Sequence, residues 1–536
     1  MIFIYVFVPL LLMVLYAWSV TRLSPPRVHD RSADAMNRTE IAPGVYTIGR
    51  NWRRRGASGL YELYVEGRPY ERGVIYGKLA AELIALQEDY FHEQIIKMIP
   101  SQGYLKLLKY FIGFFNRKLP RHVTTEYKLE IYGVSRSAPD RYAYIGTPYQ
   151  RMLNYHAAHD IGHALQNLAL VGCTSFGTWG SLSEDGELII GRNFDFYVGD
   201  KFALNKIVQF EAPSEGHRFM FLTWGGFIGV TSGMNEHGLT VTINAAKSTI
   251  PLGSATPVSL VAREILQYAA NIQEALAIAE KRTMFVSESF LVGSAADGKA
   301  VLIEKTPKAL EVYDPGEERI TCANHFQSRG LGSSETNTAD MESSASPYRQ
   351  ARLEELLDGL GPNSVDKTIK ILRDFRGKGG ADIGLGNEKA INQFIAHHSI
   401  VFEPHRLRAW VSTAPWQEGP YICYDLRHAW SIADPTAEVA VSEVAADPFM
   451  QTQEFKNYLA FRALKQKMDR GETIDPAELV ALDPEYFHAY VLAGDYLYKR
   501  EDYEGACHYY GEALTKEVAT TTEETYIRKQ MERCAT

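Results

Sequence analysis

A layered α+β fold, with sheets sandwiched by helices, is what this sequence predicts. Two observations carry that prediction. Between residues 58 and about 430 the pattern runs strand, helices, strands, helices, strands, and tight turns such as Asp185-Gly186 and Asn235-Glu-His-Gly238 separate the strand pairs. From about residue 450 the pattern becomes wholly helical, which predicts a C-terminal all-helical extension.

The chain has 536 residues, more than one ordinary domain and enough for two or three. Its residues are 46% hydrophobic and 23% charged, sufficient for a sizeable core. A net charge of -9 and the lack of a sustained basic cluster argue against a nucleic-acid partner. The five cysteines are an odd number and have no CxxC spacing, so neither a disulfide framework nor a zinc ribbon is expected.

Ile2 to Val20 carries no charged side chain and is about as long as a membrane span. Residues 1–21 are therefore expected to be a signal peptide or an N-terminal membrane anchor, contacting the membrane and placing the rest on the extracytoplasmic side, periplasmic if bacterial. Arg22, Arg27 and Arg31 follow and conflict with export, since basic residues tend to stay inside. Residues 22–57, rich in Ser, Pro, Arg and Asp, are expected to be a linker.

Leu60–Val65 reads as a strand, and Glu71–Ile96, 102–117 and Pro148–Leu170 read as helices. These form an N-terminal part, 58–172. The texture changes at Gly172: Cys173-Thr-Ser-Phe-Gly-Thr-Trp is strand-like, Leu188-Ile-Ile190 runs into Gly191-Arg-Asn-Phe-Asp195, and further strands surround the amphipathic helix Val258–Glu280. A catalytic domain over 173–440 is expected. In the helical segment 450–536, Tyr490, Gly494, Ala506, Tyr510 and Ala513 fall on the pattern positions of one tetratricopeptide repeat, and such a segment can dock on the main domain or bind a protein partner.

The chemistry centres on Cys173. A thiol needs a base to act as a nucleophile. If the chain cuts itself between Gly172 and Cys173, the new α-amine, with a pKa of about 7.7–8.0, supplies that base. Asp195 is placed to orient the amine, and Arg192 to favour the thiolate. Asn244 and Asn324, each at a strand end, are candidates for the oxyanion hole. Trp224, Phe227 and Ile228 lie in a Gly-rich stretch that can wall an apolar acyl pocket.

Gly172-Cys173-Thr174, Gly191-Arg-Asn-Phe-Asp195, Asn235…Gly238-Leu239…Asn244 and Asn324-His-Phe326 together resemble the N-terminal-nucleophile hydrolases. The nearest branch holds the choloylglycine hydrolases and the acyl-coenzyme A:6-aminopenicillanic acid acyltransferase peptidases. Glu66-Gly-Arg-Pro-Tyr-Glu-Arg-Gly73 resembles the acyltransferase propeptide. The resemblance implies an αββα four-layer sandwich, cysteine amidase chemistry on a small-molecule amide, no cofactor, and a final site arginine at Arg349, with Arg352 as the alternative. It also implies that a long N-terminal part is cleaved yet stays bound, which argues against bile salts as substrates.

Three other readings stay open. The same acyl-enzyme can pass its acyl group to an amine, making an acyltransferase. His156, His159 and His163 share one helix face and can ligate zinc for a hydrolase. The C-terminal helices can belong to a non-catalytic, partner-binding scaffold.

Overall fold

In a computed structural model of the chain, the described residues are Tyr16, 21–98, 101–165, 172–248 and 253–534. Most of the expected anchor therefore lies outside them. Among the described residues, no helix is long and apolar enough to cross a membrane.

Two sheets form the centre. The larger has eleven strands in the order β1 (Thr39–Ala42), β2 (Val45–Ile48), β3 (Asn51–Arg55), β4 (Tyr61–Gly67), β7 (Ile207–Pro213), β8 (Phe219–Thr223), β9 (Ser232–Asn235), β10 (Leu239–Ala245), β11 (Glu288–Ser294), β12 (Lys299–Lys305) and β13 (Leu310–Tyr313). The smaller has seven: β14 (Arg319–Cys322), β5 (Thr174–Thr178), β6 (Ile189–Phe194), β15 (His398–Glu403), β16 (Arg408–Ser412), β17 (Tyr421–Asp425) and β18 (Ala440–Val444). All pairings are antiparallel except β4 with β7, which runs parallel from Tyr61↔Ile207 to Gly67↔Pro213. A parallel pair needs a long crossover, and here the crossover is the whole segment that holds β5 and β6.

The alternation of strand side chains sorts the residues into layers. Phe210, Met220 and Leu302 from the large sheet meet Ile190, Ile400 and Phe402 from the small one in an inter-sheet core. The other face of the large sheet, through Leu63, Phe221 and Val241, packs on helices α1 (Pro69–Leu79), α2 (Ala81–Met98), α3 (Gln102–Phe115), α4 (Thr125–Ser135), α5 (Pro148–Leu165), α6 (Val258–Tyr268) and α7 (Ile272–Lys281). Beyond α8 (Glu335–Ser343), the other face of the small sheet packs Phe176 and Val401 against Leu353 and Ile369 of α9 (Ser346–Asp358) and α10 (Val365–Leu372). The result is the expected αββα sandwich.

Residues 22–57 are not only a linker. Thr39–Arg55 forms β1 to β3 and extends the large sheet. The Arg-rich run looks polar, but Arg54 is buried against Glu62 and reaches Glu438, so its charge is matched inside the fold. The helix expected over Glu71–Ile96 is two helices that break at Ala80. The Pro148–Leu170 helix is described to Leu165. Strand β15 opens on the polar pair His398-Ser399, which hides it in the sequence.

The segment before Gly172 is built into the strands that follow it by more than the β4–β7 pair. Helices α1 and α4 approach closely because Gly73 and Gly133 lie at the crossing: a Cβ on Gly73 would sit 2.1 Å from the Glu130 carbonyl oxygen, and one on Gly133 2.5 Å from that of Tyr70. At this crossing Arg72 (α1), Glu130 (α4), Glu211 (β7) and Arg263 (α6) form a buried quartet of two cations and two anions. Arg72 Nε lies 2.8 Å from Glu211 and Arg263 Nη2 lies 2.9 Å from Glu130; Arg72 also pairs with Glu130, and Arg263 with Glu211.

The C-terminal helices α11 (Gln453–Asp469), α12 (Pro476–Leu482), α13 (Phe487–Tyr498), α14 (Tyr503–Ala513) and α15 (Thr521–Cys534) dock on the catalytic part. Helices α13 and α14 pack small against aromatic, with the Gly494 Cβ position 2.6 Å from the Tyr510 ring. Phe455, Tyr458 and Phe461 of α11 share a core with Leu385 and Phe394 of the loop between α10 and β15.

Breaking one member of a buried ion network strands the others. Arg72→Met should therefore cost about 3–5 kcal/mol, read as a lower unfolding temperature by scanning calorimetry.

Candidate active site

Cys173 stands immediately before β5, and Arg192 and Asp195 stand on and just beyond β6, its hairpin partner; the register Ser175↔Arg192 brings them together. The three side chains are buried between the sheets. Arg192 Nη2 lies 3.5 Å from Cys173 Sγ. The same guanidinium is fixed by the Thr231 carbonyl at 2.8 Å, by Ser232 Oγ and by the Ile243 carbonyl, all on or next to strands β9 and β10. It also lies over the Phe194 ring at 4.4 Å.

Burial pushes the Cys173 thiol up, and Arg192 pulls it back down. In the intact chain the thiol points at the Asp195 carbonyl oxygen, 3.9 Å away, and that same oxygen accepts the Gly172 N–H at 3.0 Å. Neither carboxylate oxygen of Asp195 accepts a hydrogen bond among the described residues. Burial pushes its pKa up to about 7, against the downward pull of Arg349 and Arg192. A carboxylate in that position can hold an ammonium group within its reach.

Arg349, not Arg352, reaches the site. Arg349 Nη2 donates to the Cys173 carbonyl at 3.4 Å and to Asn324 Oδ1, and Nη1 donates to the Glu388 carbonyl at 2.9 Å. Arg352 turns away to Asp374, at 2.9 and 3.0 Å. Asn244 Nδ2 donates to the carbonyls of Cys322 and Ala323, and Asn324 Nδ2 to that of Ala245 at 2.9 Å. In the intact chain these two amides thus brace β10 against the loop after β14, and both are buried beside the site.

Trp224 and Phe227 stack at 4.2 Å and join Phe194, Phe202 and Cys173 in one apolar cluster, as a pocket wall would. Ile228 does not join them; it packs in the core between the large sheet and its helices, because its backbone is pinned there by His156 and Arg263. His156 uses both ring nitrogens: Nδ1 donates to the Met152 carbonyl at 2.7 Å and Nε2 accepts the Ile228 N–H at 3.0 Å. Burial lowers its pKa to about 4. It has no lone pair left for a zinc ion, and the side chains of His159 and His163 lie outside the described residues.

Several contributors were not anticipated. Gln393 Nε2 donates to the Gly172 carbonyl at 2.9 Å. Ser232 Oγ links Arg192 to His398 Nε2, 2.8 Å away, and His397 follows at 2.9 Å between Nδ1 atoms. Glu288, on β11, buries a carboxyl that has no hydrogen-bond partner among the described residues and whose pKa burial raises well above its usual value. The dense polar run Asn392-Gln393…His397-His398 is the signal in the sequence that could have drawn attention to this loop. Gly172 itself does not adopt the left-handed backbone that its residue type suggests, for it is not among the positive-φ glycines. What it provides is space: a Cβ there would lie 2.3 Å from Gln393 Nε2.

A cleft opens beside the Gly172–Cys173 bond. Gly172, Asn324, Arg349 and Gln393 floor it, Lys247 and Ser343–Ser346 flank it, and Thr520, Thr522 and Glu523 of the C-terminal segment close one side. Asn387 Nδ2 ties the loop 377–397 to the Glu517 carbonyl at 2.9 Å, and Lys389 pairs with the Glu517 side chain.

The sandwich, with a buried cysteine immediately before β5, has the layered form that the motifs led one to expect. Residues 181–414 match the model of the acyl-coenzyme A:6-aminopenicillanic acid acyl-transferase family. The match takes in Arg192, Asp195, Asn244, Asn324 and Arg349 and begins just after Cys173. An uncharacterized protein of Archaeoglobus fulgidus is 28% identical over 273 residues, 48% of this chain and 44% of that protein. Protein dcd1B of Dictyostelium discoideum is 24% identical over 275 residues, 47% of this chain and 51% of that one. The chain thus spans about half the length of the curated relatives it matches. Among solved structures, the Caenorhabditis elegans N-acylethanolamine-hydrolyzing acid amidase ortholog is 19% identical, with a TM-score of 0.32 over 43% of this chain and 93% of that one. A mutant conjugated bile acid hydrolase of Clostridium perfringens is 14% identical, with a TM-score of 0.33 over 50% and 96%.

The Asp195 environment has a consequence for stability. Its folded pKa of about 7 lies above the unfolded value of about 3.9, so the stability present at low pH is lost as pH rises through that window. In a Cys173→Ala background, Asp195→Asn should raise the melting temperature at pH 8 and leave it nearly unchanged at pH 4. Differential scanning fluorimetry across that range checks the sign.

Proposed function

We propose that this chain is a self-processing cysteine amidohydrolase. Cys173 Sγ bonds to the Gly172 carbonyl carbon, the Gly172–Cys173 C–N bond breaks, the thiol proton goes to the departing nitrogen, and a thioester and a free amine form. Water then hydrolyses the thioester, leaving a Gly172 carboxylate and a free Cys173 thiol and α-amine. The observation that carries this reading is the meeting of Cys173 Sγ with Arg192, beside an Asp195 carboxyl that accepts no hydrogen bond among the described residues. Once the chain is cut, Asp195 is available to orient the new ammonium group, and the amine takes the thiol proton during turnover.

The mature thiolate then attacks a linear carboxamide, of the N-acyl amine or N-acyl amino acid type, and releases the amine. Trp224, Phe227, Phe194 and Phe202 around Cys173 favour an apolar acyl group. Asn244 and Asn324 serve the oxyanion of that reaction after rearranging from the intact chain. A second reading, transfer of the acyl group to another amine, is supported by the description of the family that residues 181–414 match. The quartet around Arg72 and the β4–β7 pair would hold the N-terminal fragment in place after the cut. The apolar run before residue 21 supports export or anchoring at a membrane.

Intact-mass analysis and N-terminal sequencing test the reading. The wild-type chain should yield a fragment beginning Cys-Thr-Ser, while Cys173→Ala stays whole. Arg192→Met should slow the cut by at least about 10-fold through a raised thiol pKa, and the slowing should persist at pH 9 because burial already holds this thiol above its ordinary value. An uncut wild-type chain, or a Cys173→Ala chain cut at the same bond, rejects the proposal.

A further inference from the structure

The Gly172 carbonyl is the electrophile of the proposed self-cleavage, and its oxygen needs hydrogen-bond donors as negative charge builds on it. Among the described residues neither Asn244 nor Asn324 donates to it: Asn244 Nδ2 donates to the Cys322 and Ala323 carbonyls, and Asn324 Nδ2 to that of Ala245. The side-chain amide that does donate is Gln393 Nε2, at 2.9 Å. Gln393 is buried, and it lies so close that a methyl group on residue 172 would clash with it at 2.3 Å.

We propose that Gln393 is the oxyanion donor of the self-cleavage step. The inference rests on the reading of Cys173 as the nucleophile that cuts its own chain. As Cys173 Sγ bonds to the Gly172 carbon, the carbonyl π electrons move to oxygen and the Gln393 N–H stabilises them. The electrons return as the C–N bond breaks, and the proton goes to the departing Cys173 nitrogen. Gln393 gains and loses no proton.

The position of this amide is built rather than incidental. The next residue, Phe394, holds φ at 53°, a left-handed backbone that costs a bulky side chain of order 1–3 kcal/mol. Three contacts sustain it. The Asn392 side chain accepts the Phe394 N–H at 3.0 Å, Arg462 Nη1 donates to the Phe394 carbonyl at 3.3 Å, and the Phe394 ring packs 5.0 Å from that of Tyr458. Arg462 and Tyr458 both lie on α11, so the C-terminal helices fix the turn that aims Gln393. This gives those helices a role within the enzyme, in addition to any partner they bind.

The test follows cleavage of the full-length chain by intact mass over time, for wild type, Cys173→Ala, Gln393→Met and Gln393→Glu. Methionine keeps the volume and removes the donor; glutamate keeps the shape and places acceptors against the oxyanion. Both should cut roughly 100-fold to 1,000-fold more slowly than wild type, the loss typical of one oxyanion donor. Hydroxylamine, which intercepts a thioester, should not restore the rate, because the slowed step is thioester formation. The same Gln393 variants in a Cys173→Ala background should melt within a few degrees of their parent. Cutting at the wild-type rate in either Gln393 variant would overturn the inference while leaving the Cys173 reading intact. Cutting lost only where the parent melt is lost as well would also overturn it. A wild-type chain that stays whole removes the Cys173 reading and this inference together.

Discussion

Everything in the site depends on β1–β4 and α1–α5 being part of the sandwich rather than a leader in front of it. The parallel pairing of β4 with β7 places a strand from one side of the Gly172–Cys173 bond beside a strand from the other. The Arg72–Glu130–Glu211–Arg263 quartet then joins α1 and α4 to β7 and α6. Such a quartet is costly to desolvate and costlier still to leave half-made, so it fixes a register more than it adds stability. Glycines at 73 and 133 permit the close helix crossing that brings the four charges together.

The thiol sits in a compartment where charge is scarce and each charge matters. Burial raises Cys173 and Asp195 alike; Arg192 pulls both back down, and Arg349 pulls down Asp195. The two guanidiniums also do mechanical work: Arg192 ties β6 to β9 and β10, and Arg349 ties α9 to Asn324, to Glu388 and to the Cys173 main chain. The same side chains therefore set the electrostatics of the thiol and the positions of the strands around it.

The C-terminal helices complete the cleft from outside the sandwich. Their ties to the loop between α10 and β15 run through Asn387, Lys389, Leu385 and Phe394, and their own Thr520, Thr522 and Glu523 line the opening. Glu388 and Glu523 both reach this cleft, and burial raises both carboxyls, each with further contributions from neighbouring charges. Small-against-aromatic packing, seen at Gly494 and Tyr510, keeps the helical hairpin rigid enough for that task.

Local chemistry made much of this legible in advance. Cys173 after a glycine, a hairpin that returns Arg192 and Asp195, and Asn244 and Asn324 at strand ends are short-range patterns, and strand alternation and turn residues announce them. The layered α+β order follows from the same periodicities. What the sequence could not assign was whatever depends on distant partners. Thr39–Arg55 looked like a polar linker because the carboxylates that bury Arg54 lie elsewhere in the chain. Ile228 and Trp224 belong to one Gly-rich stretch, yet the backbone turns one into the core and the other toward Cys173. Gln393 is 221 positions beyond Gly172, whose carbonyl it touches, and contacts to distant segments, the C-terminal helices among them, determine where its amide points. Sequence alone determined which residues could carry the chemistry, since residue type and local spacing fix chemical capability. Tertiary structure decided which of them meet, because a hydrogen bond depends on ångström-scale approach between segments that no local pattern encodes.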